Sequence, residues 1–440
     1  MALSRVGVWV VVLGALATAV PFDNSLGSGR VMTIELRRSA ADHQLSSRAL
    51  RTGRSRGQAI LNATGSTFLA PIKVGSQTFY SVVDTGSSDT WVIPSDFSCA
   101  DVVTGQIKPP SQCFFGRTYT PDSDFRVIAN QNFNITYGDG EYLHGRYGNA
   151  TITLADITVS QQQIALPTTA AWYGDGITSG VIGLAYPALT AAYPGSDGTD
   201  DRYCYVGTPA SQCNQIEYSP LLNNIFFRDR LTLPVFALAL SRDASSVGHG
   251  GYLSIGGVPS TTIPRVNSSR TWVSTPVRML PTDSKFRYYV VRVDGLVFGA
   301  PSNSLPGANH TNPAIVIGSA GKQYILDSGT TLNFFSSYQA ALYNSKFQPP
   351  AVKDRFSGFY VVSCNSTPPL IGIKIGGAVF YHNPTDLIKS FSPGQCISGI
   401  QDRGSLGVNI LGDVFLDNVL ALFDLRSNVV RFSARPYYQS

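Results

Sequence analysis

A mostly β fold divided between two domains is what this sequence predicts, and three observations carry it. The chain has 440 residues, too many for one ordinary core and enough for two domains that each bury a substantial apolar interior. Charged residues make up only 14% while Gly and Pro number 42 and 26, a balance that suits short strands and tight turns rather than long helices. Finally, Val82-Val83-Asp84-Thr85-Gly86-Ser87-Ser88 recurs in kind at Ile325-Leu326-Asp327-Ser328-Gly329-Thr330-Thr331. Each copy is an apolar strand delivering an Asp into a turn that needs glycine. One such turn is ordinary, because Asp often bonds its own backbone there. Two in equivalent contexts suggest that two carboxylates are meant to meet.

Taken in order, residues 1–19 read as a signal peptide, with Arg5, an apolar run from Val6 to Val20 and the small residues Ala17-Thr18-Ala19. The run is short of the roughly 20 apolar residues needed to span a bilayer, and the C-terminal residues lack an apolar tail for a lipid anchor. A soluble, exported monomer without a membrane anchor is expected, with an acidic vacuole as the alternative destination. Residues 20–60 form a basic arm, with Arg at 30, 37, 38, 48, 51, 54 and 56. It reads either as a disordered leader or as a propeptide whose cations cover an acidic cleft. Residues 1–56 hold eight of the 33 basic and three of the 28 acidic side chains, which leaves 25 of each in the rest. The formal charge of +5 therefore does not point to nucleic acid.

From Thr67 onward, strand-like runs at Phe68–Val74, Phe79–Asp84, Phe133–Tyr137, Thr151–Leu154 and Val235–Leu240 alternate with turns. Two short helices are expected. One is capped by Ser219 with Pro220 in its first turn; the other runs from Ser336 to Asn344 with Tyr338, Ala341 and Leu342 on one face. A second duplication, Val181-Ile182-Gly183 and Ile410-Leu411-Gly412, trails the two Asp turns in the same order. The first domain is taken as 61–245 and the second as 246–440. Six cysteines fit an oxidising compartment but allow 15 pairings, and the absence of Cys-x-x-Cys gives a zinc or redox site little support. No metal or cofactor is expected. Asn62, Asn134, Asn149, Asn267, Asn309 and Asn365 begin glycosylation sequons.

The paired Val-Val-Asp-Thr-Gly-Ser-Ser and Ile-Leu-Asp-Ser-Gly-Thr-Thr motifs resemble the active-site signatures of the pepsin-like aspartic proteases, most closely the secreted fungal members, and the resemblance extends over 65–436. It implies a bilobal fold with a long cleft, in which Asp84 and Asp327 form the catalytic pair. Thr85 and Ser328 would clamp the two loops together, Ser87 and Thr330 would orient the carboxylates, and Gly86 and Gly329 would line the substrate site. The Val181 and Ile410 segments would thread beneath the loops. Asn134-Ile135-Thr136-Tyr137-Gly138-Asp139-Gly140 is similar to the family's flap, with Trp91 as partner of Tyr137. Glu141 departs from the small residue expected after that turn. The resemblance also implies disulfides Cys99–Cys113 and Cys364–Cys396. Nearest-neighbour pairing adds Cys204–Cys213, within a Gly/Asp/Tyr-rich insertion for which the resemblance supplies no recognised counterpart.

Two carboxyls sharing one proton can activate water and protonate a leaving amine, so the expected function is endoproteolysis, at acidic pH, of protein or peptide substrates with large apolar residues flanking the cut. The propeptide would act as an intramolecular inhibitor. Asp139 has two readings: a turn residue between glycines, or a carboxylate that accepts Lys before the cut bond, as in some fungal members. His249-Gly250-Gly251 is similar to a lipase oxyanion loop, but no Gly-x-Ser-x-Gly elbow accompanies it. A glycosidase would not need two copies of the Asp turn. A protease-shaped protein that binds without cutting is the remaining alternative.

Overall fold

The apolar runs become strands near their expected places: Ser66–Val74, Gln77–Asp84 and Val235–Leu240, with Phe133–Tyr137 and Thr151–Leu154 extended into Arg126–Thr136 and Tyr142–Leu154. The computed structural model describes residues 30–40 and 66–435, apart from 204–207, 209, 231, 243–247, 261, 264, 265, 267, 304–314 and 318–320. Among these residues no helix is long and apolar enough to cross a membrane.

One continuous sheet joins the two β-rich halves. Its path leads from Gln77–Asp84 through Ser66–Val74 and Met32–Ala40 to Gly248–Ile255, Val235–Leu240, Val419–Asp424 and Val429–Ala434. Val235–Leu240 and Gly248–Ile255, which flank the expected boundary, pair antiparallel with each other within this shared sheet.

That path corrects the reading of the basic arm as a disordered leader. Met32–Ala40 is a strand, antiparallel to both Gly248–Ile255 and Ser66–Val74, with Met32, Ile34 and Leu36 alternating into the core. Arg37 lies over the Tyr80 ring. The buried Arg38 lies over Phe68 and donates to the Ser241 carbonyl. These two arginines lie at the sheet, and Arg48, Arg51, Arg54 and Arg56 fall outside the described residues.

Both helices form with altered details. Leu221–Arg228 starts after Pro220 with no side-chain cap, so Ser219 does not cap it. Ser337–Asn344 buries Gln339, Ala340, Tyr343 and Asn344 and leaves Tyr338 in solvent, the reverse of the expected face. Its polar side chains find partners inside: Asn344 Nδ2 donates to the Ile400 carbonyl, and Gln339 accepts from the Tyr324 hydroxyl.

The Cys99–Cys113 and Cys364–Cys396 disulfides are present. Cys213 is disulfide-bonded, while Cys204 lies outside the described residues. Asn134 is not available to a glycan, because it is buried and its Nδ2 donates 2.7 Å to Asp201. Asn149 is half-buried and Asn365 exposed; Asn62, Asn267 and Asn309 lie outside the described residues.

Candidate active site

The two Asp turns sit at the ends of strands held by matching threads. Gly180–Gly183 runs parallel to Gln77–Asp84 and antiparallel to Thr90–Val92, and Asn409–Leu411 stands in the same relation to Lys322–Leu326 and Asn333–Phe335. Glycine is required where each thread passes its loop. A Cβ on Gly183 would lie 2.4 Å from the Ser88 backbone, and one on Gly412 would lie 2.2 Å from the Thr330 carbonyl.

Local geometry fixes each carboxyl. Asp84 Oδ1 accepts from Gly86 N at 2.7 Å and Oδ2 from the Ser87 hydroxyl; Asp327 Oδ1 accepts from Gly329 N at 2.9 Å and Oδ2 from the Thr330 hydroxyl at 2.7 Å. The two turns are then clamped reciprocally. Thr85 Oγ1 donates to the Leu326 carbonyl (2.9 Å) and accepts from Ser328 N (2.9 Å). Ser328 Oγ donates to the Val83 carbonyl (2.8 Å) and accepts from Thr85 N (3.1 Å). Thr85 and Ser328 are essentially buried, so each bond is costly to leave unmade.

The clamp brings the two carboxyls together across the glycines: a Cβ on Gly86 would lie 2.4 Å from Asp327 Oδ1, and one on Gly329 would lie 2.5 Å from Asp84 Oδ1 and 3.3 Å from Asp327 Oδ1. Burial pushes both carboxyls above the ordinary range. The neighbouring Asp327 charge raises Asp84 further, while the donors at each site pull the other way. Their protons belong to the pair rather than to either residue.

Above the pair, Arg126–Thr136 and Tyr142–Leu154 form a hairpin whose tip holds Tyr137, Gly138, Asp139 and Gly140. Gly140 adopts φ 96° and its N–H returns 3.0 Å to the Tyr137 carbonyl. The tip reaches the other half: a Cβ on Gly138 would lie 3.5 Å from Leu406 Cδ2. The Tyr137 hydroxyl accepts from Trp91 Nε1 at 2.9 Å. Asp139 Oδ1 accepts from Glu141 N at 3.0 Å, a bond within the turn. A concavity of about 510 Å³ between 298–301 and 345–350 carries none of these groups.

A family model described as eukaryotic aspartyl protease matches residues 67–435, which contain both turns, both threads and the hairpin. The chain belongs to that family. A pepsin-like aspartic protease is accordingly an aspartic-type endopeptidase, a hydrolase. A probable aspartic-type endopeptidase of Aspergillus fumigatus is 38% identical over 84% of this chain and 79% of its own length. Penicillopepsin-3 of Penicillium janthinellum is 25% identical over 82% of this chain and 76% of its own. The crystal structure of an aspartic proteinase from Irpex lacteus shares the fold, with TM-score 0.62 and 18% identity, over 93% of this chain and 98% of that one.

Three residues that the sequence reading did not assign belong to this protease site. Asp89, five positions past Asp84, is buried and accepts from the hydroxyls of Tyr147 (2.6 Å) and Tyr218 (2.8 Å) and from Ala191 N (2.8 Å). Burial pushes its carboxyl up to about 6 against these donors. It directly follows the first copy of the repeated motif, where the second copy has Leu332, and its partners are 58, 102 and 129 positions away. Trp172 packs edge-on against Trp91 and Tyr137, with ring centroids 5.3 and 5.6 Å apart, and nothing local marks it. Glu141 is the third.

Proposed function

We propose that this aspartic endopeptidase hydrolyses protein chains by activating water between Asp84 and Asp327, in acid, with large apolar residues on both sides of the cut bond. The observation that carries the reading is the reciprocal Thr85–Ser328 clamp, which joins two Asp turns 243 positions apart and sets their carboxyls side by side. The ionised member takes a proton from water as its oxygen bonds the scissile carbonyl carbon. The protonated member gives its proton, and the C–N bond breaks as the amine is protonated. One proton must reside on the pair, so activity declines as rising pH removes it.

Apolar specificity is supported by the aromatic group below the hairpin, where Trp91, Phe115, Trp172 and Tyr137 pack on one another. An extended substrate lying along the cleft would offer alternate side chains to such surfaces. Export is supported by the apolar run of residues 6–20 and its small-residue cleavage site, and removal of the basic arm before activity would follow. The test is acid proteolysis of a denatured protein, with and without a transition-state mimic directed at aspartic proteases. Inhibitable cleavage is expected, and it should be lost in Asp84→Asn and Asp327→Asn. Substantial activity in either folded variant refutes the dyad, and tight protein binding without any cleavage would favour the binding-only alternative.

A further inference from the structure

A glutamate beside a hairpin tip is normally solvated, because a charged carboxylate without strong partners is costly to bury. Glu141 is only 6% exposed. Its Oε1 accepts from Tyr173 N at 2.7 Å, its carbonyl accepts from Tyr137 N at 2.8 Å, and its own N–H holds Asp139 Oδ1 at 3.0 Å. The Asp139 carboxyl is close enough to act electrostatically on that of Glu141. Tyr173 follows Trp172, the ring that touches both Tyr137 and Trp91. One side chain thus joins the hairpin tip to the segment that carries the aromatic support beneath it.

We propose that Glu141 is a positioning residue for substrate binding, its side chain latching the hairpin tip, and with it Tyr137 and Asp139, onto Tyr173 above the dyad. The inference rests on the proteolytic reading of the site. The latch works with a neutral carboxylic acid. One oxygen accepts from the Tyr173 amide while the O–H donates to Asp139, and a second carboxylate in that place would face Asp139 with no proton between them. Burial first, and then the Asp139 charge, hold the Glu141 carboxyl well above its ordinary range.

The groups facing Glu141 are Asp139 and Tyr137 on the hairpin and Tyr173 on the opposing segment, and none of those acting on it is a cation. Beyond Tyr173 lie Asp101, which acts on the Tyr173 hydroxyl, and Lys108, whose Nζ is 5.9 Å from that ring. The sign follows from the two states of the tip. Latched, Glu141 stays protonated; released into water, it ionises near its ordinary value of 4.5. The latch is therefore strongest below that pH and is progressively released above it, by up to tenfold per pH unit in the release equilibrium. Substrate affinity follows the latch, whereas bound substrate recloses the tip and leaves the saturated rate nearly unaffected.

The experiment is steady-state peptide cleavage from pH 3 to 7 by wild type, Glu141→Ala and Glu141→Gln. It is paired with amide hydrogen exchange at Tyr173 in the absence of substrate. Gln keeps an acceptor for Tyr173 N and a donor for Asp139 but cannot ionise. Losing the latch bonds is expected to raise KM about tenfold in Glu141→Ala at pH 4, with kcat changed less than threefold. Glu141→Gln should recover most of that KM, and its KM and Tyr173 protection should stay flat to pH 6 while those of wild type deteriorate. Equal KM in all three proteins, or a parallel pH rise in wild type and Glu141→Gln, overturns the latch. If wild type cleaves no peptide at any pH, the proteolytic reading fails instead, and Tyr173 exchange alone decides whether the tip is latched.

Discussion

An alanine at Gly86 tests how tightly the two carboxyls are interleaved. Its Cβ would lie 2.4, 2.6 and 2.7 Å from Oδ1, Cγ and Oδ2 of Asp327, while Gly86 itself has no positive φ to strain. Ordinary contact needs about 3.5 Å, so the Asp327 carboxyl must retreat by roughly 1 Å. A displacement of that size in a catalytic group costs on the order of 10²-fold in rate. Overpacking costs about 1–3 kcal/mol, which a fold stable by about 5–15 kcal/mol survives. Gly86→Ala is therefore expected to lower kcat about 100-fold with a native near-ultraviolet dichroism spectrum and a modest loss in urea unfolding. Gly329→Ala should behave alike, its Cβ falling 2.5 Å from Asp84 Oδ1. A folded Gly86→Ala protein whose kcat stayed within threefold of wild type would show that the carboxyls do not need this spacing.

Thr85→Val strands the buried Ser328 N and Leu326 carbonyl, and should cost about 2–4 kcal/mol in urea unfolding as well as most of the activity; a loss below 0.5 kcal/mol would mean the clamp is dispensable. Tyr147→Phe removes a donor that favours ionised Asp89. Because the folded-state value is already raised to about 6, Asp89's contribution to stability is present in acid and lost as pH rises through that value, and the variant should lose more stability relative to wild type at pH 7, where Asp89 is ionised, than at pH 4. An equal stability change at both pH values would remove Asp89 from the explanation. Peptides differing only in Lys or norleucine before the cut bond decide the second reading of Asp139: Asp139→Thr removes a latch partner and should lower cleavage of both, but of the Lys peptide more, whereas equal losses leave Asp139 as a turn and latch residue only.

What the residues reveal by themselves is whatever is settled within a few positions. Gly86 N and Ser87 bond Asp84, and Gly329 N and Thr330 bond Asp327, all within three positions, so the turn chemistry is written twice in plain order. The alternation of Met32, Ile34 and Leu36 was equally local, but the surrounding arginines gave that segment the character of a solvated arm. Its place between Ser66–Val74 and Gly248–Ile255 depends on an opening in a sheet built from distant segments. The helix at 337–344 was legible as a helix and misread in its face, because the buried side is chosen by the strands beneath it. Trp172 and the burial of Glu141 were out of reach for the same reason. Hydrogen bonding within a turn is fixed by backbone geometry, whereas burial, and the protonation state that follows from it, is fixed by which remote segments arrive to exclude water.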